Sequence, residues 1–155
     1  MMLGVAFIIP CYNEQESIGL VISEIRNIFP SAGIFVCDNN SNDRTSEVAA
    51  SAGATVLFER EKGKGNAVRR LLRDVEASLY VMVDGDNTYD LSSVNSAIDE
   101  LKANRYDLMT GDRFAKLGKS HFRKGHGAGN LFFTSFFRIA VGIPTRDVFS
   151  GVRIF

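Results

Sequence analysis

The sequence predicts a single α/β domain over residues 1–155, built on a mainly parallel central sheet. Short apolar runs of strand length alternate with amphipathic helical segments, and the connections between them are short. This alternation favours parallel strands joined by right-handed helical crossovers. Polar or acidic residues follow the apolar runs, at the edge where open α/β sheets bind ligands. With 45% hydrophobic and 23% charged residues, the composition is that of a soluble globular protein.

The individual elements follow from hydrophobic periodicity and from the residues that end each run. Pro10 is expected to end the first strand, Asn13 or Glu14 to cap the first helix, and Gly53 to close the second helix. Strands are predicted at residues 4–9, 34–37, 54–58, 80–83 and 106–110. Helices are predicted between these strands, the last of them over residues 91–104, and a further phenylalanine-rich helix over residues 131–141.

Two carboxylates, Asp84 and Asp86, follow the buried strand 80–83 and are separated by one glycine. Side chains two residues apart on an extended backbone point the same way, so both acids can face one target. Two neighbouring carboxylates repel each other unless a cation lies beside them, which indicates Mg²⁺ or Mn²⁺ shared with a phosphate-bearing substrate. A surface turn is the alternative, because Asp-Gly-Asp-Asn is also typical turn chemistry.

Other acids recur at the ends of the predicted strands. We accept helix capping for Asp43 and Asp90. For the remaining acids we expect a common site at one edge of the sheet. This set comprises Glu14, Asp38, Asp84, Asp86 and Asp112.

Beyond the predicted sheet, residues 113–126 contain five Lys or Arg, two His and no acid. This segment is interpreted either as a solvated loop or as an electropositive lid over phosphate groups. The helix 131–141 is too short to span a bilayer, and it either belongs to the core or rests on a membrane surface or partner. The apolar ending at Phe155 suggests that the domain continues beyond this residue.

Bulk charge and common motifs exclude several classes of function. The formal net charge is zero, so nothing indicates a nucleic-acid partner, and two cysteines that close apolar runs fit a reducing, cytoplasmic location. The segment around Gly63 and Gly65 lacks the third glycine of a dinucleotide fingerprint and the Gly-Lys-Ser/Thr ending of a P-loop. The sequence contains no Gly-x-Ser-x-Gly elbow and no zinc-type His/Cys spacing.

Five segments form a recognisable series in the sequence: Pro10-Cys11-Tyr12-Asn13-Glu14, residues 38–45, Lys64-Gly65, Asp84-Gly85-Asp86 and residues 147–153. In order and spacing they resemble the family 2 glycosyltransferases, particularly the branch of dolichol-phosphate mannosyl- and glucosyltransferases. The resemblance implies the GT-A fold, a Rossmann-like three-layer α/β sandwich, with residues 1–155 forming one nucleotide-sugar-binding catalytic domain. Asn39-Asn40 replaces the commoner Asp-Gly pair, and Phe149 stands where a polar residue is frequent. The chain has no tryptophan, so the Gln-x-x-Arg-Trp motif of processive synthases is absent.

The resemblance also implies a role for individual residues. The nucleotide-sugar donor would be held by Pro10, Tyr12, Glu14, Asp38, Lys64 and Asp84. The metal would be bound by Asp86, with Asp84 as a second ligand or turned towards the ribose. Catalysis would involve Asp86, Arg113 and Asp147, the last in the place of a general base. Acceptor or phosphate contacts would come from Arg113, Ser150 and Arg153.

The predicted function is inverting transfer of a hexose from a UDP- or GDP-sugar, with Mg²⁺ or Mn²⁺, to a polyprenyl or dolichyl phosphate at the cytoplasmic membrane surface. Two alternatives stay open within the family: transfer to a sugar or small-molecule hydroxyl, and a catalytically incomplete nucleotide-sugar-binding fragment. A sugar nucleotidyltransferase is disfavoured, because such enzymes carry a Gly-rich, Arg-containing loop where this chain has Pro10 to Glu14. The sugar, the base and the oligomeric state are left undetermined by the sequence.

Overall fold

The structure, a computed structural model, describes residues 3–111 and 151–155. Six strands lie in this part of the chain: β1 (Ala6–Cys11), β2 (Gly33–Asp38), β3 (Thr55–Phe58), β4 (Tyr80–Met82), β5 (Met109–Thr110) and β6 (Arg153–Ile154). The helices are α1 (Ile18–Ile28), α2 (Thr45–Ser51), α3 (Lys64–Asp74) and α4 (Val94–Asn104), and a 3-10 turn spans Leu91–Ser93.

The described strands form one mixed, mainly parallel sheet with the order β3-β2-β1-β4-β6-β5. β1 pairs in parallel with β2 and β4, and β2 pairs in parallel with β3. The short strand β6 lies antiparallel between β4 and β5. The prediction of a mainly parallel sheet is confirmed, whereas β6 was not predicted.

Helices cover both faces of this sheet and form the three layers expected from the resemblance. On one face, α1, α2 and α4 bury apolar residues against β1, β2, β4 and β6. On the other face, α3 packs Ala67 and Leu71 against Ala6, Ile8 and Met82. Alternate residues of β1 therefore belong to opposite cores, which explains why this strand is an unbroken apolar run.

The expectation that Pro10 ends the first strand is wrong, because β1 continues to Cys11. The last hydrogen bond between β1 and β4 runs from Val83 N to Ile8 O, at 3.2 Å. Pro10 is the next residue of β1 whose backbone groups face β4. The missing N–H of proline therefore costs no hydrogen bond, because the pairing with β4 has already ended at this position. Pairing with β2 continues, and Asn39 N donates to Cys11 O at 2.9 Å.

The start of α1 also differs from the prediction. The helix begins at Ile18 after Ser17, so neither Asn13 nor Glu14 is its cap. Asn13 adopts a left-handed φ of 56° and accepts a hydrogen bond from Asn42 N at 2.8 Å instead. Its short polar side chain thus joins two loops rather than starting a helix.

Several predictions fall on residues 112–150, which lie outside the described part of the chain. These are the roles of Asp112, Arg113, Asp147 and Ser150, the basic segment 113–126 and the helix 131–141. Within residues 3–111 and 151–155, every helix is too short or too polar to cross a bilayer.

Candidate active site

A cavity opens at the carboxyl ends of β1, β2 and β4. It lies beside the boundary between β1 and β4, where the strand order reverses direction along the chain. Open α/β sheets bind ligands at this kind of topological switch point. The lining residues are Pro10, Cys11, Tyr12, Glu14, Asn39, Lys64, Ala67, Asp84 and Asp86. Of the acids predicted to meet at this edge, the structure brings Glu14, Asp84 and Asp86 together in the cavity.

The two aspartates of the Asp-Gly-Asp segment have different surroundings. Lys64 Nζ donates to Asp84 Oδ1 at 2.5 Å, and the backbone of Gly151 packs against the same carboxylate. Asp86 is exposed, and its Oδ1 accepts hydrogen bonds from the Thr88 amide at 3.1 Å and the Thr88 hydroxyl at 2.7 Å. Asp84 is thus held by neighbouring elements, while Asp86 turns an oxygen towards solvent.

Glu14 lies at the back of the cavity, where the Asp-Gly-Asp segment covers it. Its Oε2 is buried and has no hydrogen-bond partner among the described residues, and Gly85 and the Cys11 thiol lie directly against it. Burial raises the pKa of the Glu14 carboxyl, the adjacent Cys11 thiol opposes that shift, and the charges of Asp86 and Asp84 add to it. Burial, together with the Glu14 charge, also raises the pKa of the Cys11 thiol. An unpartnered buried oxygen of this kind is suited to accept a hydrogen bond from a ligand.

Hydrogen bonds to the loop after β2 fix the loop that carries Tyr12 and Glu14. Asn13 N donates to Ser41 Oγ at 2.9 Å, and Glu14 N donates to Thr45 Oγ1 at 2.8 Å. In the same region, Gln15 N donates to Asp43 Oδ2 at 3.2 Å. The left-handed Asn13 and the polar run after β2 therefore set the position of the first cavity loop.

Tyr12 lines the cavity and contacts Lys62, a residue that the sequence interpretation did not include. The Tyr12 hydroxyl accepts a hydrogen bond from Lys62 Nζ at 2.9 Å, and that interaction lowers the pKa of Tyr12. Pro10 also lines the cavity. The only sequence signal for Lys62 was its place in the charged, glycine-containing loop before α3.

Asp38 does not line the cavity, although it ends β2 at the predicted edge. It is 5% exposed, and its carboxylate accepts hydrogen bonds from Ser41 N at 2.9 Å and from the Ser46 hydroxyl. The next residue, Asn39, faces the cavity in its place. Base recognition by Asp38 stays a prediction from the resemblance.

Arg153 lies in β6, paired with Met82 on one side and Thr110 on the other. It is partly buried and is not one of the cavity-lining residues. Its predicted contact with phosphate stays a prediction, as do the roles of Arg113, Asp147 and Ser150, which lie outside the described residues.

The donor set of the cavity fits a hard divalent cation that is shared with a ligand. Within the described residues, no cluster of three His, Cys, Asp or Glu forms a complete metal site. Mg²⁺ commonly binds through only one or two carboxylates, with waters and substrate phosphates supplying the other oxygens. Asp86, with Asp84 beside it, matches this arrangement, and three carboxylates near one lysine leave the cavity with excess negative charge.

The sheet topology, the two helical layers and the carboxylate-lined switch point define an α/β fold of the GT-A type. The family model described as "Glycosyl transferase family 2" matches residues 6–154. The chain belongs to glycosyltransferase family 2.

Relatives of known description agree with this assignment. The chain is 50% identical over 123 residues to protein RfbJ of Shigella flexneri, covering 79% of this chain and 95% of that protein. It is 37% identical to glycosyltransferase AglJ of Haloferax volcanii, covering 98% of this chain and 50% of that protein. It is 30% identical to a dolichyl-phosphate hexose transferase of the same organism, covering 97% of this chain and 65% of that protein.

Solved structures confirm the fold. The glucosyl-3-phosphoglycerate synthase of Mycobacterium tuberculosis, in complex with Mn²⁺ and UDP-glucose, superposes with a TM-score of 0.74 at 21% identity, covering 98% of this chain and 55% of that chain. Mannosyl-3-phosphoglycerate synthase of Rubrobacter xylanophilus gives a TM-score of 0.67 at 23% identity, covering 98% of this chain and 53% of that chain. The chain spans about half the length of these structures.

Proposed function

We propose that this domain binds a UDP- or GDP-hexose in the cavity beside β1 and β4 and transfers the hexose, with inversion, to a polyprenyl or dolichyl phosphate. The observation that carries the proposal is the convergence of Tyr12, Glu14, Lys64 and Asp86 on one cavity at the switch point. A nucleotide diphosphate sugar has a base that can stack on an aromatic ring, hydroxyl groups that can donate to a carboxylate, and two phosphates whose charge a lysine and a metal can neutralise.

The charges of the cavity support a diphosphate ligand. Lys64 is the first residue of α3, and Ala67, three positions later on the same face, also lines the cavity, so the helix N-terminus faces the ligand space. Helix N-termini favour anions because their free N–H groups and dipole are positive. On the opposite side, Asp86 would hold Mg²⁺ or Mn²⁺, with Asp84 adjacent to it. When bound, this cation would neutralise charge on the leaving diphosphate.

The remaining lining residues would hold the nucleoside. Tyr12 is 45% exposed at the cavity mouth and offers a ring face on which a base can stack. The unpartnered Oε2 of Glu14 is placed to accept a hydrogen bond from a ribose hydroxyl. Asp84, held by Lys64, would orient the ribose or the metal from the other side.

In the transfer step, an acceptor oxygen forms a bond to the anomeric carbon of the hexose from the face opposite the diphosphate. The bond from that carbon to the diphosphate oxygen breaks, and its electron pair leaves with the nucleoside diphosphate. A phosphate acceptor needs little deprotonation, because its second pKa is about 6. Asp147 would then orient the acceptor, and Arg113, Ser150 and Arg153 would contact its phosphate.

Two considerations support a lipid phosphate as the acceptor. One relative is described as a dolichyl-phosphate hexose transferase. The basic segment 113–126 follows β5 in the sequence and suits an anionic acceptor at a cytoplasmic membrane surface. The second candidate acceptor is a hydroxyl group, as the names of the phosphoglycerate synthases with the same fold indicate for those proteins.

Calorimetry with UDP-glucose and GDP-mannose, each with and without Mn²⁺, tests the donor site. We expect one of the two donors to bind, with affinity increased by Mn²⁺ in the wild type but not in Asp86→Asn. Asp99→Asn, an exposed change on α4 away from the cavity, is the matched control and should bind as the wild type does. A folded wild type that binds neither donor would refute the proposal, and an unchanged Mn²⁺ effect in Asp86→Asn would remove the metal role.

Transfer of labelled hexose separates the candidate acceptors. Polyprenyl phosphate in detergent and 3-phosphoglycerate would be offered in parallel with the donor that binds. Product in the lipid fraction alone supports the lipid phosphate, and product from 3-phosphoglycerate alone supports the hydroxyl acceptor. Donor binding without either product supports the interpretation as an incomplete fragment.

A further inference from the structure

Gly151 occupies a narrow gap between two side chains that follow β4. It is buried, and a Cβ at this position would lie 2.5 Å from Asp84 Cγ and 2.8 Å from Tyr89 Cε2. The φ of Gly151 lies outside the left-handed region, so the backbone itself would accept another residue and only space is lacking. Glycine is therefore required here for close packing between the start of β6 and the segment after β4.

The hydroxyl of Tyr89 fixes the backbone of Gly151 in this gap. It accepts a hydrogen bond from Gly151 N at 2.5 Å, which joins two segments that lie 62 positions apart in the chain. The Tyr89 ring packs against the core, and the next residue, Asp90, caps the 3-10 turn by accepting a hydrogen bond from Ser92 N at 2.8 Å. Tyr89 is thus a rigid acceptor for a buried N–H group that needs one.

The carboxylate of Asp84 is confined from two sides as a result. Lys64 Nζ donates to its Oδ1 at 2.5 Å, and the Gly151 backbone lies against the side of Oδ2. Asp84 lines the cavity, whereas Tyr89 and Gly151 are not among the lining residues. The contact of these two residues with the ligand space therefore runs through Asp84.

We propose that Tyr89 is a positioning residue of the donor site, which acts through the Gly151 backbone on the carboxylate of Asp84. This inference rests on the proposed function, in which Asp84 orients the ribose or the metal. While Tyr89 holds Gly151, the Asp84 carboxylate has no room to turn away from the cavity. Without the Tyr89 hydroxyl, Gly151 can shift and Asp84 gains further orientations, so a ligand must order this side chain when it binds.

Calorimetry with UDP and GDP, the sugar-free nucleotides, in the presence of Mn²⁺ measures this effect. In Tyr89→Phe we expect about threefold weaker binding of the nucleotide that the wild type prefers, because the hydroxyl is lost while the ring remains. In Gly151→Ala we expect about tenfold weaker binding, because the added methyl group displaces the Asp84 carboxylate. The matched controls are Tyr106→Phe, at an exposed tyrosine, and Gly4→Ala, where a Cβ meets no atom within 4 Å, and both should bind as the wild type does.

An Asp84→Ala background distinguishes positioning of Asp84 from a general loss of structure. If Tyr89 and Gly151 act through Asp84, the losses of nucleotide affinity in Tyr89→Phe and Gly151→Ala should each fall below about twofold in that background. Equal losses in both backgrounds would overturn the inference. Wild-type affinity in both Tyr89→Phe and Gly151→Ala would overturn it as well.

Thermal unfolding without ligand tests the contact itself. Gly151→Ala should lower the melting temperature by about 2 °C or more, and Asp84→Ala should remove part of that loss because the carboxylate no longer overlaps the methyl group. A loss that is the same in the Asp84→Ala background would overturn the inference. A wild type that binds neither UDP nor GDP would instead refute the proposed function, while the unfolding measurement still reports whether Gly151 confines Asp84.

Discussion

Replacement of Gly85 by alanine is expected to disturb both the core and the candidate site. Gly85 separates the two aspartates and is buried, and its φ lies outside the left-handed region, so alanine fits the backbone itself. A Cβ at this position would lie 2.6 Å from the Cys11 Sγ and closer still to Glu14 Oε2. The substitution therefore tests a single close contact between β1 and the Asp-Gly-Asp segment.

The size of the effect follows from that overlap. Non-bonded contacts between such atoms are normally about 3.5–4.0 Å, so the methyl group and the sulfur overlap by about 1 Å. Cys11 lies on β1 inside the core and has little room to move, and overpacking of this kind costs about 1–3 kcal/mol. In a domain of this size each kcal/mol lowers the melting temperature by about 2–4 °C. The methyl group should also push the Glu14 carboxylate into the ligand space and weaken donor binding.

Thermal unfolding and donor calorimetry would be measured on Gly85→Ala and on Gly65→Ala as the control. A Cβ at Gly65 meets no atom within 4 Å, and its place inside α3 means that alanine should be neutral or stabilising by up to about 1 kcal/mol. In a Glu14→Ala background, part of the destabilisation caused by Gly85→Ala should disappear. Equal melting temperatures and equal donor affinities for the two glycine variants would refute the predicted clash.

Three further predictions concern other parts of the site. Because burial raises the pKa of Glu14, the native state binds a proton more tightly than the unfolded state, so wild-type stability should fall as pH rises from about 4.3 through the raised value. Glu14→Gln should lack this fall. The prediction is wrong if the melting temperatures of the wild type and of Glu14→Gln change with pH in the same way. Asp147→Asn should lower kcat about tenfold or less with a phosphate acceptor but about 10²–10⁴-fold with a hydroxyl acceptor. Tyr89→Phe removes the acceptor for Gly151 N and should cost about 1–2 kcal/mol in urea unfolding, whereas unchanged stability would show that this contact is unimportant.

The sequence predicted most of the sheet because strand and helix periodicities are local properties. The apolar runs that became β1, β2 and β4 were recognised, and the alternation rule correctly placed Asp84 and Asp86 on one cavity. β6 was not predicted, because a strand of two residues has no period of its own. Its pairing joins Val81 to Ile154, a contact between residues far apart in the chain.

Residues at the strand ends were harder to assign than the strands themselves. Alternation places Asp38 and Asn39 on opposite sides, but it does not indicate which of them faces the cavity. The turn after β2 follows directly, and its residue Asn40 has a left-handed φ of 61°. The turn directs Asp38 towards Ser41 and Ser46 and leaves Asn39 beside the ligand space. The motif alone did not indicate this difference in the surroundings of the two residues.

The hydrogen bonds between loops indicate that the cavity is formed before any ligand binds. The loop after β1 is bonded to the loop after β2 through Asn13, and the loop after β2 is bonded to the loop before α3 through Asn39. Lys64 then connects that loop to Asp84. Because folding has already ordered these backbones, a donor loses less conformational entropy on binding than it would with free loops. Substitution of Asn13 should therefore weaken donor binding, because its side-chain oxygen accepts the hydrogen bond from Asn42 N that joins the first two loops.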